Sequence, residues 1–284
     1  MRARRRRWWI RLGGVVGILV ALALWAFWLE PASFRVRETT LRLGAWPSEM
    51  DSLRVAVVAD LHTGSPWNGL SQLERIVRET NAAQPDLILI RGDLVIGGIP
   101  GGQAVSPEAI ADELAALEAP LGVYGVLGNH DWWLDGPRVA RAMESAGIVV
   151  LKDTSTAVPV RGDTLWLAGV SDAWEAPHDI DRALAEVPED ATVLAFTHNP
   201  DLFPDIPPRV ALTVAGHTHG GQVHLPLLGP PRVPSRYGDR YAAGHVREGG
   251  RDLFVSTGVG TSILPIRFRV PPEVSLLTLR ATPD

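Results

Sequence analysis

Five short polar motifs punctuate this chain, each directly following an apolar run of the length and branching expected of a buried strand. Asp60-Leu61-His62-Thr63-Gly64 follows RVAVVA, Gly92-Asp93 follows the run that begins LILI, and Gly128-Asn129-His130-Asp131 follows Val123 to Leu127. His198 follows VLAFT, and Gly216-His217-Thr218-His219 follows the run ending at Ala215. Five of the eight histidines fall in these motifs, which places the chemistry at strand ends. A carboxylate and an imidazole two residues apart at such an end can point to one side and share a cation. The glycine of Gly92-Asp93 lets the backbone bend closely around the site, and its aspartate can bridge two ions. Nitrogen and oxygen donors grouped around one shared carboxylate are what two ions about 3.5 to 4 Å apart require.

Composition narrows the rest. The chain has 284 residues, 46% hydrophobic and 21% charged, enough for one large core. With no cysteine it has no thiolate nucleophile and no sulfur-ligated zinc, so any metal must be held by His, Asp, Asn or Glu. The net charge of -5 hides an asymmetry: Arg2, Arg4, Arg5, Arg6, Arg7 and Arg11 crowd the N-terminus and leave the remainder acidic. Such a body repels phosphate backbones, which argues against a nucleic-acid-binding surface.

From Leu12 to Leu29 the sequence runs eighteen residues without a charge, near the length that spans a hydrocarbon layer. Trp25 and Trp28 suit its far interface. The arginines precede the run, so the positive-inside tendency keeps the N-terminus in the cytoplasm and sends the catalytic body out of it. A cleaved signal peptide is the competing reading, but no A-x-A-like site follows the run. The arginine pairs also admit a twin-arginine signal. The expected organisation is a basic N-terminus and transmembrane anchor over 1–30, a linker with a leading strand over 31–52, and a catalytic body over 53–284.

Strand patterns at 34–43, 54–59, 87–90 and 123–127 alternate with helical patterns at 71–83, 108–117 and 137–146, a βαβ rhythm. Strand candidates then crowd the second half, at 149–151, 158–160, 165–170, 193–196, 212–215, 253–256 and 274–279, with Arg161-Gly162-Asp163 in a hairpin turn. An α/β chain ordered this way fits two sheets packed face to face with helices outside.

Gly128-Asn129-His130-Asp131 and Gly216-His217-Thr218-His219, in that order, resemble the motifs of the calcineurin-like metallophosphoesterase superfamily, over about residues 50 to 280. The extension through Gly220-Gly221-Gln222 and the segment Leu264-Pro265-Ile266-Arg267-Phe268 are similar to a bacterial, often membrane-attached subgroup of phosphodiesterases and UDP-2,3-diacylglucosamine pyrophosphatases. The resemblance implies a four-layer αββα sandwich and two divalent metals, manganese, iron or zinc. One would be held by Asp60, His62, Asp93 and His219, the other by Asp93, Asn129, His198 and His217. It also implies that His130 is an unliganded imidazole beside the scissile phosphate, with Asp131 orienting it.

Function follows as hydrolysis of a phosphodiester, phosphoanhydride or phosphomonoester on a phosphorylated small molecule or a lipid-linked, cell-envelope substrate. A serine/threonine protein phosphatase is disfavoured because Gly92-Asp93-Leu94-Val95-Ile96 lacks the Asp-Arg that such enzymes carry. A membrane-tethered protein that only binds a phosphorylated ligand is the alternative from a different class. Trp67, Trp132 and Trp133 stand beside the motifs, either as an apolar rim for substrate or as packing, and Arg267 is either a phosphate contact or an exposed structural arginine. His178, His224 and His245 are expected at the surface or behind the site.

Overall fold

The structure, a computed structural model, describes residues 2–282, so Met1 and the last two residues of the expected body lie outside the described residues. The chain opens with α1 (Arg2–Leu24), which widens into a π-helical turn at Trp25–Leu29. There follow β1 (Arg35–Leu43), β2 (Leu53–Val58), α2 (Leu70–Ala82), β3 (Leu87–Ile90), α3 (Pro107–Leu114), β4 (Val123–Gly125), α4 (Asn129–Ser145) and β5 (Val149–Val150). The second half contributes β6 (Thr154–Val160), β7 (Asp163–Val170), α5 (Ile180–Ala183), β8 (Thr192–Thr197), β9 (Val210–Ala215), β10 (Gly244–Glu248), β11 (Arg251–Val255) and β12 (Glu273–Ala281).

Two six-stranded sheets result, ordered β1-β12-β2-β3-β4-β5 and β10-β11-β9-β8-β7-β6. β2 to β5 run parallel in the first, and β7, β8, β9 and β11 run parallel in the second. Alternation sorts their side chains into layers. Leu53, Val55 and Val57 of β2 and Leu87 and Leu89 of β3 face Leu194 and Phe196 of β8 between the sheets. Ala56, Val58, Ile88 and Ile90, one residue out of phase, face α2, α3 and α4 on the outside. Each fully buried aliphatic or aromatic side chain in these layers contributes about 1.5–3 kcal/mol through area removed from water. The outer face of the second sheet is covered more thinly, by α5 and a 3₁₀ turn at Pro200–Asp205. The expected two-sheet sandwich with outer helices is thus the observed one, with its fourth layer reduced to short pieces.

Three differences have physical causes. α4 begins at Asn129 rather than Pro137, because the motif after β4 is itself the first turn; a break at Asp135 (φ -177°, ψ 87°) separates it from the segment led by Pro137. β1 is a full sheet member, in unbroken parallel register with β12 from Arg35 opposite Glu273 to Leu43 opposite Ala281. β10 escapes a hydropathy reading because it is an edge strand whose residues, such as His245 and Arg247, are mostly polar. The expected Arg161-Gly162 turn is present, with both residues at positive φ (51° and 95°) joining β6 to β7.

Candidate metal centre

Because the strands of both sheets that carry the motifs are parallel, their following loops meet at one edge of the sandwich. Asp60 and His62 follow β2, Asp93 follows β3, Asn129 opens α4 just beyond β4, His198 follows β8, and His217 and His219 follow β9. All seven are buried, none more than 5% exposed.

Local backbone geometry aims them inward. Asp60, His62, Asp93, His217 and His219 lie at φ 51°, 40°, 52°, 70° and 51°, in the left-handed region. Each such residue costs on the order of 1 kcal/mol or more, so the surroundings must hold it there. The His62 amide donates to the Asp93 carbonyl (2.8 Å), the Asp60 amide to the Gly92 carbonyl (3.2 Å), and the His217 amide to Asp60 Oδ1 (2.9 Å). Gly128 permits the closest approach, since a Cβ there would collide with Asp93 Oδ1 and lie 2.7 Å from His198 Cε1.

The side-chain atoms form two clusters that share a carboxylate. In the first, His62 Nε2 lies 3.1 Å from His219 Nε2, which lies 3.7 Å from Asp60 Oδ1. In the second, His198 Nε2 lies 3.1 Å from His217 Nδ1 and 3.2 Å from Asn129 Oδ1. Asp93 Oδ2 faces both, 3.5 Å from His62 Nε2 and 3.4 Å from His198 Nε2. Such separations are the edges of coordination shells with bonds of about 2.0–2.2 Å. Orientation agrees: Nδ1 of His62 faces the Val95 carbonyl (3.2 Å) and Nδ1 of His198 the Arg91 carbonyl (2.6 Å), which turns each Nε2 into the cluster.

Burial and the Asp93 carboxylate divide the rings electrostatically. Burial pulls His62 and His217 down to about 3 and His219 well below the ordinary imidazole value, so these rings are neutral. Burial opposes charge on His198 as well, but the Asp93 carboxylate overcomes it and carries that ring up to about 10. Burial would raise Asp93; the surrounding imidazoles reverse this and hold it well below the usual carboxylate range. His62, His219 and Asp60 bring one donor atom each within coordinating reach of a common point, as do His198, His217 and Asp93. The donors present, imidazole nitrogens with carboxylate and amide oxygens, therefore fit a divalent metal.

Residues 53–228 match the calcineurin-like phosphoesterase family. The chain belongs to that family. It is similar to the uncharacterized metallophosphoesterase YkuE of Bacillus subtilis, with 30% identity over 283 residues that cover 95% of this chain and 96% of that one. The phosphodiesterase YaeI of Escherichia coli is 31% identical over 245 residues, covering 84% of this chain and 86% of YaeI. A zebrafish (Danio rerio) transmembrane protein with a metallophosphoesterase domain is 26% identical over 284 residues, 94% of this chain and 62% of that protein. The chain is a metal-dependent phosphoric ester hydrolase.

Within this phosphoesterase several expected residues take other tasks. Asp131 does not touch the His130 ring: its Oδ2 accepts from the Gly128 amide (2.9 Å) and its Oδ1 from the Leu94 and Val95 amides (2.9 and 3.3 Å). Three backbone donors occupy the carboxylate, which therefore ties the start of α4 to the loop carrying Asp93 instead of orienting an imidazole. Arg267 is not an exposed arginine, and its guanidinium is taken up by backbone carbonyls. It is fully buried, and its guanidinium donates to the carbonyls of Thr257, Gly258, Gly260 and Val270, with Nη2 3.4 Å from His219 Nδ1. The tryptophans divide: Trp132 packs against the outer core, while Trp133 is exposed with its ring 4.5 Å from that of His130. Trp67 instead stacks on Trp28 of the N-terminal helix (5.1 Å). His178, His224 and His245 lie at the surface, His245 bonded to Asp252 (2.6 Å).

Two residues near the centre were not legible beforehand. Ser262 places Oγ 3.4 Å from His130 Nε2, across 132 positions of sequence. Arg91 is wholly buried over the Phe196 ring (4.9 Å), its guanidinium without a hydrogen-bond partner among the described residues and subject to the charge of Asp60. An arginine closing an apolar strand run was the one available signal.

The role found for Asp131 predicts that Asp131→Asn, which turns an amide donor toward backbone donors, lowers stability by about 1–3 kcal/mol. Denaturant unfolding of the detergent-solubilised chain measures this. Unchanged stability with an altered dependence on leaving group would restore the orienting role.

Proposed function

We propose that this phosphoesterase holds two divalent ions, manganese, iron or zinc, one by Asp60, His62, Asp93 and His219 and the other by Asp93, Asn129, His198 and His217. The observation that carries the reading is the position of Asp93 Oδ2, within 3.5 Å of one cluster's imidazole and 3.4 Å of the other's. When bound, such a pair supplies an activated water and neutralises charge on the phosphoryl oxygens.

The chain's own residues do the rest. Asp93 and the left-handed loops fix where phosphorus must sit, and burial keeps bulk water from competing. His130, whose Nδ1 has no hydrogen-bond partner among the described residues, stands beside the clusters with its amide donating to Asp93 Oδ1 (2.8 Å). It protonates the departing oxygen: water's oxygen joins phosphorus, the bond from phosphorus to the leaving oxygen breaks, the proton from His130 ends on that oxygen, and the proton that the water gives up passes to solvent, from which His130 regains one. The phosphodiesterase name of the E. coli relative favours a diester over a monoester or anhydride.

Purified variants separate these roles. Asp93→Asn should lose metal and activity together, while His245→Ala, remote on β10, should keep both. His130→Ala should keep its metal, lose on the order of 10² to 10⁴ in rate on alkyl diesters, and lose far less on a nitrophenyl diester that needs no proton. Metal loss in His130→Ala, or mild and equal effects of Asp93→Asn and His245→Ala, would overturn the assignment.

We also propose that α1 is an uncleaved single-pass anchor in the cytoplasmic membrane with the body outside the cytoplasm. Support comes from the 24-residue apolar span Arg6–Leu29, the arginines ahead of it, and relatives named as transmembrane proteins. In spheroplasts, an impermeant maleimide should label a Glu189→Cys variant before lysis. Labelling only after lysis would reverse the orientation.

A further inference from the structure

The N-terminal helix is not a loose tether. Ala26 is buried, and its carbonyl accepts from the Arg267 amide (2.9 Å). Trp67 stacks on Trp28 with the rings 20° from parallel and donates Nε1 to the Phe27 carbonyl (3.0 Å). Glu30, buried despite its charge, accepts from the Val270 amide (2.6 Å) and from Trp25 Nε1 (2.5 Å). Upstream of this turn the helix leaves the body, with only 6% of its most apolar stretch buried. A spanning helix keeps that stretch in hydrocarbon and its end tryptophans at the interface, so the body surface bonded to residues 25–30 lies at headgroup level.

The loops around the metal centre adjoin that surface. Arg267, whose amide binds the anchor, has its guanidinium against His219. The segment leading to it carries Ile263 and Leu264, exposed by 70% and 50%, and begins at Ser262 beside His130. Gln222, just after the last histidine motif, donates to the carbonyls of Ser262 (3.0 Å) and Leu264 (3.3 Å). The His224 amide donates to the Phe268 carbonyl (2.9 Å), and the turn closed by Leu225 and Gly229 then presents Leu227 and Leu228 fully to solvent. Trp133 against His130 and Trp67 against Trp28 are exposed as well. His130 and Trp133 together line a cavity of about 410 Å³, whose other walls are Ile96, Ile99, Ala104 and Leu134 and glycines.

A water-soluble surface does not gather so many large apolar side chains around one opening without a partner for them. The partner here must be continuous with the bilayer that holds residues 12–29. We propose that Trp67, Trp133, Ile263, Leu264, Leu227 and Leu228 dip into the headgroup layer around the site. The substrate is then a membrane lipid whose phosphoester enters the centre without leaving the bilayer. This deepens the phosphoesterase reading and rests on it for the chemistry, but not for the membrane placement.

The chain has no cysteine, so single labels are clean. In nanodiscs, an environment-sensitive fluorophore on Leu228→Cys or Ile263→Cys of the full chain should be quenched at least twofold by doxyl-labelled phospholipid, and one on Glu189→Cys should not. Equal quenching at all three, or rim labels shielded by a second copy in a dimer, overturns the placement. The paired Leu227→Asp, Leu228→Asp variant should lose at least tenfold on a nanodisc-embedded diacylglycerol nitrophenyl phosphodiester, and keep its rate on soluble bis(4-nitrophenyl) phosphate. Equal retention on both overturns the lipid substrate. Failure of the unaltered chain to hydrolyse either ester would overturn the phosphoesterase reading, while the quenching result still decides the membrane contact.

Discussion

The carboxylate of Asp93 stands between imidazoles delivered by two different sheets, and much of the architecture serves to hold it there. A buried charge of this kind is tolerated only when paired and hydrogen-bonded. Its Oδ1 accepts from the His130 amide and its Oδ2 faces His62 and His198. The neighbouring residues Leu94 and Val95 are pinned by Asp131, and Gly128 gives the room for α4 to start against it. Parallel strands in both sheets, packed through Leu89, Leu194 and Phe196, keep these loops in register with one another. The strain of five left-handed residues is thereby balanced by a core that lies directly beneath them.

The same edge of the sandwich receives the N-terminal helix. Arg267 is the joint: its backbone amide takes the carbonyl of Ala26, and its side chain gathers the carbonyls of the loop that lies against His219. Glu30 secures the other side of that loop at Val270. The N-terminal helix and the metal centre therefore share one small set of contacts, so their spacing is fixed by hydrogen bonds and not by linker length. A separate cleft, lined by Arg42, His245, Arg247 and Arg280, involves the edge strands β1 and β10 and none of the motif residues.

What could be read from the chain was what short spacing controls. Two ligands separated by one residue after an apolar run, as in Asp60 and His62, declare both the strand end and the donor pair, and alternation within 54–59 and 87–90 declares the layers. Partners distant in sequence stayed hidden. Asp131 looked like a companion of its neighbour His130, yet two of its three partners are amides 36 and 37 positions away in another loop. Arg267 looked like a free cation because the carbonyls it serves, and the anchor turn that covers it, are brought together only by the fold. Ser262, Arg91 and the Trp28–Trp67 stack belong to the same class: their meaning lies in contacts that no local pattern encodes.

The central claim is that one carboxylate joins two metal positions into a single centre. Manganese titrated into the metal-free chain, followed by low-temperature electron paramagnetic resonance, tests it most directly. The account predicts saturation at two equivalents with the many-line spectrum of an exchange-coupled pair. A simple six-line signal that saturates at one equivalent, or two ions that remain magnetically independent, would contradict it.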